Sequence, residues 1–598
     1  MCGIAGFFAS APLPLDHAEW PASALGRLRH RGPDDAGTQV TPDRRCALGQ
    51  VRLAILDLSA AGHQPMTTPC GRHTIVFNGE IYNFRELRDA LEARGVVFHS
   101  HSDTEVVLRA FEVEGAACVR KLRGMFAFAV WDAKERTGFL ARDPFGIKPL
   151  YHHAGPQGLA FASELHALAT APGVQKNLDS TAVMGFLGMG SVPEPRTLLK
   201  DTCCLPAGHT AVWHQDRLTV QRYHTLAFSS LPALADPVGT TRSALLNSVD
   251  HHFISDVPVG VFLSGGIDST ALVALARAAG KADLHTYSIT FPDAANDEGP
   301  LARRSAAHFG TTHHEWPLGA AEGQTLFRQF LAAMDQPSID GLNTFTVSKF
   351  ARAQGMKVVL SGLGGDELFG GYKSFREVPR LAALNCGLRW TGPVRAAARA
   401  ALGRAARPPL RRLGEMLGEP LGLDSAYTAL RGVFTAREAT LLTRHLTGLD
   451  PGPLPPAETL PEDPTPQDTV SRLELTRYMR NQLLRDSDVM SMAHGLELRV
   501  PFLDLPLFDT VSRIPAAIRL RRGKQLLLEA VPEIPPWIAH QPKRGFSFPF
   551  EQWLASDWRD TFAELDRTSP VPLQTWYRKW AVFALSHWLK RAGFSTPV

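Results

Sequence analysis

One seven-residue stretch constrains the chain more than any other: Leu263-Ser264-Gly265-Gly266-Ile267-Asp268-Ser269. It closes the apolar run Val257 to Leu263, which reads as a buried strand, and opens a helical pattern from Ser269 to Ala279 that ends at Gly280. A two-glycine turn between strand and helix lets successive N–H groups face one concavity. The helix end adds partial positive charge, and Ser264 and Ser269 add hydroxyl donors. Such a turn suits a pyrophosphate group. It is not a P-loop, because G-K-S/T is missing, nor a dinucleotide fingerprint, because G-x-G-x-x-G is missing.

The same grammar repeats downstream. Leu284 to Phe291 reads as a strand, Leu301 to Phe309 and Phe345 to Ala353 as helices, and Lys357 to Leu360 as a strand. The expectation is a doubly wound parallel α/β sheet, in which strand ends converge on one ligand crevice. A second glycine-rich turn, Ser361-Gly362-Leu363-Gly364-Gly365-Asp366-Glu367, follows the last of these strands. Asp268 and Asp366 are therefore placed to hold Mg²⁺ against phosphates, since that ion prefers hard oxygen ligands.

The first 170 residues read differently. Short β-like runs alternate with tight turns: Thr74 to Phe77 before Asn78-Gly79, Met125 to Trp131, and Gly138 to Ala141 before Asp143-Pro144-Phe145-Gly146. With a helix over Phe84 to Arg94, this is a sheet-rich domain. Asp236-Pro237 reads as linker, and Pro451 to Pro466, with seven prolines in sixteen residues, as an exposed loop or hinge. Arg389 to Arg412 carries seven arginines among alanines and reads as a solvated helix rather than a nucleic-acid surface.

At 598 residues the chain expects several domains, and a net charge of +4 gives no general reason to bind nucleic acid or anionic lipid. Any polyanion site must be local. No uncharged apolar stretch approaches the ~18 residues of a membrane span, and no basic residue precedes the apolar start, so a soluble, cytoplasmic protein is expected. The seven cysteines are odd in number and include no C-x-x-C pair, which argues against a disulfide framework and a zinc ribbon. His99-Ser100-His101-Ser102-Asp103 imitates a metal motif but lacks a convincing ligand set, and the doublets at His152, His251 and His313 read as surface or edge histidines.

Cys2 stands apart by position. If Met1 is removed, thiol and α-amine share one residue. An α-amine titrating near about 7.7 to 8.0 can then take the thiol proton directly or through one water.

Its company carries a resemblance. Cys2-Gly3-Ile4-Ala5-Gly6, His30-Arg31-Gly32-Pro33-Asp34, Arg52-Leu53, Asn78-Gly79-Glu80-Ile81-Tyr82-Asn83 and Ser102-Asp103-Thr104-Glu105 occur in the order seen in class II, amino-terminal-nucleophile glutamine amidotransferases. The resemblance implies an αββα glutaminase sandwich over residues 1–215, in which Cys2 attacks the glutamine carboxamide. Asn78 and Gly79 would supply oxyanion donors, typically worth about 10² to 10³ in rate each. Glutamine would lie against Arg52, Leu53, Ala54, Ile55 and Leu56. A planar bidentate cation such as Arg52 suits its α-carboxylate, and Glu80 and Asp103 suit its α-ammonium.

The Ser264–Ser269 turn resembles the pyrophosphate loop of ATP pyrophosphatases. Together with Arg485-Asp486-Ser487-Asp488, Glu497 to Asp504 and Pro542-Lys543-Arg544-Gly545-Phe546, it makes the whole similar to the glutamine-hydrolysing asparagine synthetase family. That resemblance implies an ATP-using synthetase domain over 236–598. ATP would be held by Leu263, Ser264, Gly265, Gly266, Asp268, Ser269, Ile289, Ser361 and Gly362, and Lys543 would offset charge on the phosphates. Glutamine, aspartate and ATP are the implied partners, without nucleic acid or membrane, and a homodimer is compatible. One position departs from the family: Leu363 stands where a glutamate is usual, and leucine can neither assist the intermediate nor take a proton. Either Glu367 compensates or the acceptor is another carboxylate, such as a uronic acid or a peptide. A tRNA-modifying ATP pyrophosphatase, favoured only by Arg389 to Arg412, leaves Cys2 unexplained.

Overall fold

The computed structural model describes every residue except 1, 230–233, 292–296, 389–390, 421, 454–461, 542–547, 557 and 595–598. The amino-terminal part is built on two six-stranded antiparallel sheets. In the first the order is Cys203–Cys204, Tyr151–Gly155, Gly158–Ala162, Gly3–Phe8, Cys46–Arg52, Asp35–Val40. In the second it is Arg217–Arg222, His209–His214, Thr137–Arg142, Gly124–Asp132, His73–Ile81, Met66–Thr67. Strand alternation explains the layering. Ile4 and Phe8 point between the sheets, where they meet Leu48, Val76, Ala127, Ala129 and Trp131. Ala5 and Phe7 point the other way, to Leu25 and Leu28 of the helix Leu15–Leu28. On the far sheet Ile75, Phe77, Phe126 and Phe128 face the helices Phe84–Glu92 and Asp103–Glu114. Helix, sheet, sheet and helix make the expected αββα sandwich. With both faces of each sheet covered, Gly3–Phe8 is buried throughout, so its first residue lies in the middle of the domain.

The second α/β unit is a five-stranded parallel sheet, ordered Thr312–Pro317, His285–Thr290, Val259–Phe262, Val358–Leu360, Glu497–Arg499. Counted along the chain this is 3-2-1-4-5, so the order reverses between Val259–Phe262 and Val358–Leu360. The two glycine-rich turns follow those two strands. They flank the switch point, where open α/β sheets bind their ligands.

Some expectations need correction. Asp236-Pro237 is not linker: Asp236 Oδ1 accepts from Gly239 N at 2.8 Å and caps the helix Pro237–His252, with Pro237 in the first turn, where its missing N–H costs nothing. The helix after the first glycine turn begins at Ile267, which brings Asp268 into its first turn. The arginine-rich stretch is two helices, Gly392–Gly403 and Pro408–Met416, and Arg412 is buried, donating to Ala429 O at 3.0 Å. Much of the proline run lies outside the described residues, but Pro466 opens a helix, Pro466–Leu473. His152 and His252 are buried rather than superficial, and the His252 ring lies 4.1 Å from that of Tyr82.

Candidate active sites

Cys2 precedes the central strand Gly3–Phe8 and is buried. Its backbone nitrogen donates to Asn78 Oδ1 at 3.1 Å, which leaves Asn78 Nδ2 buried with no partner among the described residues. An orphaned buried donor costs about 1–3 kcal/mol, so its survival marks a place where a ligand oxygen belongs. Gly79 follows on the same strand, and a Cβ there would lie 2.2 Å from Met125 O. Burial pushes the Cys2 thiol above its ordinary value, opposed by a backbone hydrogen bond from Leu53 and the charge of Arg52. The thiol therefore needs a nearby base to become a thiolate.

Cys2, Arg52, Leu53, Ile55, Leu56, Gly79, Glu80 and Asp103 line one small cavity of about 30 Å³, with room for little more than a water. Ala54 lies beside it, its N–H donating to Asp34 Oδ2 at 2.8 Å. The Arg52 guanidinium is turned onto its own loop, with Nη1 on Ser59 O and Nη2 on Leu56 O, both at 3.0 Å. Admitting glutamine thus requires this loop to open and Arg52 to exchange carbonyl partners. Glu80 and Asp103 are both buried carboxyls. Burial pushes Glu80 well up, and it raises Asp103 to about 6 although Ile81 N donates to Asp103 Oδ2 at 2.9 Å.

At the switch point, Ser264 and Ser269 lock the first glycine turn: their hydroxyls are 3.0 Å apart, and Ser264 N donates to Ser269 Oγ at 3.1 Å. Ile289 is buried on the strand His285–Thr290, and Leu263 is buried directly after the adjoining strand Val259–Phe262. The second turn presses against the first. A Cβ on Gly362 would meet Ser269 N at 3.0 Å, and one on Gly365 would meet Asp268 Oδ1 at 2.4 Å, so glycine is required for the two loops to touch. Ser361 is tied to the neighbouring strand by its N–H on Arg499 O at 2.9 Å.

The residue that sequence reasoning missed is Lys524. Its ammonium donates to Asp268 Oδ1 and Oδ2 at 2.6 and 2.5 Å and also contacts Asp366 Oδ1. Burial pulls this ammonium down, but the two carboxylates outweigh burial and hold it above the ordinary lysine value. Its backbone is left-handed, with φ 59°, an unfavourable geometry for any side chain but glycine. Asp268 and Asp366 therefore already converge on one cation, and hard oxygen donors so placed fit Mg²⁺ bound together with phosphate oxygens. Lys543 lies outside the described residues. Leu363 is half-buried against the core, and Glu367, four positions on, is raised to about 8 by burial, with Asp366 adding to the rise and Tyr372 donating to its Oε1 at 2.9 Å.

Gly371 donates its N–H to Asp366 O at 2.9 Å and also lines a cavity of about 2430 Å³. Its walls include Asp340, Asn343, Tyr372, Lys373, Arg431, Tyr478, and also Glu194 and Arg196 from the amino-terminal part. An unanticipated i→i+5 helix, Glu474–Leu484, presents Tyr478, Asn481 and Gln482 to it.

The two sites are joined by ion pairs that no local pattern revealed. Arg31, fully buried, donates to Cys2 O at 3.0 Å, Glu164 at 2.6 Å and Asp488 at 2.8 Å. Lys148 reaches the same Asp488 at 3.3 Å, Arg123 pairs with Asp504, and Arg499 reaches Glu80 at 3.1 Å. The segments Arg485 to Asp488 and Glu497 to Asp504 are thus where the carboxy-terminal half grips the Cys2 half. Among the described residues, His99 and His101 belong to no group of three or more possible metal ligands. The one such trio among the described residues, Glu164, His166 and Asp335, is an ion-paired contact between the halves, with Glu164 also held by Arg31.

Residues 1–224 match the glutamine amidotransferase domain model and residues 240–591 the asparagine synthase model. The chain belongs to the asparagine synthase family. It is 35% identical to a putative glutamine-hydrolyzing asparagine synthetase of Mycobacterium tuberculosis, over 93% of this chain and 88% of that one. It is 33% identical, with the same coverage, to asparagine synthetase 1 of Bacillus subtilis. A more distant relative, amidase chry2 of Gibberella zeae, is 26% identical over 94% of this chain and 91% of its own length. In asparagine synthase terms, the Cys2 cavity falls in the first matched segment and the Asp268–Lys524–Asp366 cluster in the second. Among the described residues no helix is long and apolar enough to cross a membrane.

Proposed function

We propose that the chain is a glutamine-dependent asparagine synthetase: it hydrolyses glutamine at Cys2 and passes the ammonia to an aspartate adenylated by ATP, releasing AMP and pyrophosphate. The carrying observation is the pairing, in one chain, of Cys2 against Asn78 Oδ1 with a two-carboxylate, one-lysine cluster at a switch point. After removal of Met1, the Cys2 α-amine takes the thiol proton and the thiolate attacks the carboxamide carbon. Asn78 Nδ2 and the Gly79 N–H receive the oxyanion. Arg52 takes the glutamine α-carboxylate, and Glu80 and Asp103 its α-ammonium. In the other half Ser264, Gly265, Gly266 and Ser269 cradle the phosphates, Leu263, Ile289, Ser361 and Gly362 bound the nucleoside, and Lys524 balances charge on the leaving pyrophosphate. Mg²⁺, held by Asp268 and Asp366, would supply further positive charge there. We assign residues 1–215 to the first half and 236–598 to the second, and place the enzyme in the cytoplasm, where glutamine and ATP are abundant.

Coupling requires that ammonia stay unprotonated between sites. One apolar cluster runs from Leu53, Ile55, Tyr82, Met125 and Phe145 to Val261, Leu263, Met479, Leu498 and Val500, which supports a dry passage. The assay supplies glutamine, ATP, Mg²⁺ and aspartate together: asparagine formed with AMP and pyrophosphate supports the reading. Its absence, with glutaminase intact, favours a second acceptor. Leu363 in place of an acid and a cavity well above the roughly 300–1,000 Å³ of ordinary ligand pockets favour that second reading, a carboxylate on a larger molecule such as a uronic acid or a peptide.

The glutamine clamp carries a pH signature. Asp103 must be ionised to hold an ammonium, and burial has raised it to about 6. Glutaminase kcat/KM should fall as pH drops through about 6, with little change in kcat at saturating glutamine. Asp103→Asn should remove that inflection and raise KM at neutral pH. A profile unchanged by the substitution would detach Asp103 from the clamp.

A further inference from the structure

Glu80 is reached from both halves of the chain. Its side chain is buried and lines the Cys2 cavity, yet Oε1 has no hydrogen-bond partner among the described residues. A buried carboxylate oxygen left unpaired beside a cavity is costly, and it marks a place where a ligand's donor belongs. The other oxygen, Oε2, lies 3.1 Å from Arg499 Nη2. Arg499 comes from the carboxy-terminal half and is itself fully buried. It ends the strand Glu497–Arg499, and its backbone O accepts from Ser361 N at 2.9 Å, where the second glycine-rich turn begins. Its Nε donates to Glu497 Oε1 at 2.6 Å, and Nη1 donates to His252 O and Ile254 O at 2.8 and 2.6 Å. With those two nitrogens committed to the carboxy-terminal half, Nη2 is the arm that faces Glu80.

The surroundings of Glu80 make this contact decisive. Burial, Asp103 and Glu497 all push its carboxyl toward the neutral form, and Arg499 is the strongest influence in the other direction, ahead of the α-amine at the head of the chain. Without Arg499, Glu80 would sit in a buried site beside two other carboxyls and take up a proton, and a neutral acid offers an ammonium little. We propose that Arg499 is a positioning residue of the glutamine site: it pins Glu80 by Oε2 and leaves Oε1 for the α-ammonium of glutamine. The amino-acid clamp of the amino-terminal half is then complete only when the carboxy-terminal half is docked on it. The inference rests on the reading of Glu80 as an ammonium acceptor, and adds that the affinity of that acceptor is set from across the interface.

The test compares two substrates on the full chain: glutamine, and 4-carbamoylbutanoate, which is glutamine without its α-amine. The ammonia released from each gives kcat/KM, and the ratio of the two values reports the ammonium contact alone. Arg499→Met should lower that ratio by about 10- to 100-fold, the worth of one charge-assisted contact, chiefly through a higher KM for glutamine. Glu80→Gln should do the same, and the double variant should do no more than either alone, because both substitutions remove one interaction. Arg499→Lys keeps the charge and should keep most of the ratio. A merely structural role for Arg499 would weaken both substrates alike and leave the ratio where it was. If Arg499→Met does not fold, Arg499→Gln, neutral but still able to donate to a backbone carbonyl, answers the same question. A ratio that collapses in Glu80→Gln but holds in the neutral Arg499 variants would overturn the inference and spare the clamp. A ratio that holds in Glu80→Gln would overturn the reading of Glu80 and the inference with it.

Discussion

Cys2→Ala should abolish glutamine-dependent synthesis, by more than about 10³-fold, and leave synthesis from added ammonium near its original rate. The expectation follows from the separation of parts. Cys2 and Asn78 belong to the αββα sandwich, and only the thiol can form the covalent intermediate. Nothing in the Asp268–Lys524–Asp366 cluster depends on that sulfur. The substitution is conservative in volume and the site is buried, so folding should survive; Cys2 contributes little packing that alanine does not. The comparison is made in two assays on one preparation, one with glutamine and one with ammonium chloride at raised pH, where more of it is free ammonia. Loss of both activities would contradict separate sites.

Lys524→Ala should do the reverse. Pyrophosphate release should fall by on the order of 10² to 10³, and glutaminase should persist. The substitution also removes a buried cation that Asp268 and Asp366 share. Breaking such a buried pair costs about 3–5 kcal/mol, so the variant should unfold at lower temperature. Mg²⁺ should restore part of that stability if the carboxylates are a cation site, because binding to the folded state alone stabilises it by mass action. Lys524→Arg keeps the charge with a wider head and should retain stability better than activity. Full pyrophosphate release by Lys524→Ala, or no recovery with Mg²⁺, would remove the lysine or the metal assignment respectively.

Which parts of this were legible in the sequence follows from range. Strand alternation and glycine punctuation are local, so Thr74 to Phe77, Met125 to Trp131 and the turn at Ser264 were readable, and the ordered glutaminase motifs led to the Cys2 pocket. The pair Asp268 and Asp366 was also readable, because each sits in its own glycine-rich turn after a strand. Lys524 was not: a single lysine after Gly523 carries no periodicity, and its importance arises only where the chain returns to the switch point. The same holds for Arg499 on Glu80 and Asp488 on Arg31, which join residues more than 400 positions apart. Asp236-Pro237 was misread because aspartate and proline serve loops and helix starts alike, and only the Gly239 hydrogen bond distinguishes them.

The central claim is that nitrogen freed at Cys2 is used at the nucleotide site without entering bulk water. It is tested most directly by giving the enzyme glutamine labelled with heavy nitrogen in its amide, together with ATP, the acceptor and an excess of unlabelled ammonium. The account predicts that the amide product carries the label nearly undiluted. A product whose label matches the mixed ammonium pool would contradict it.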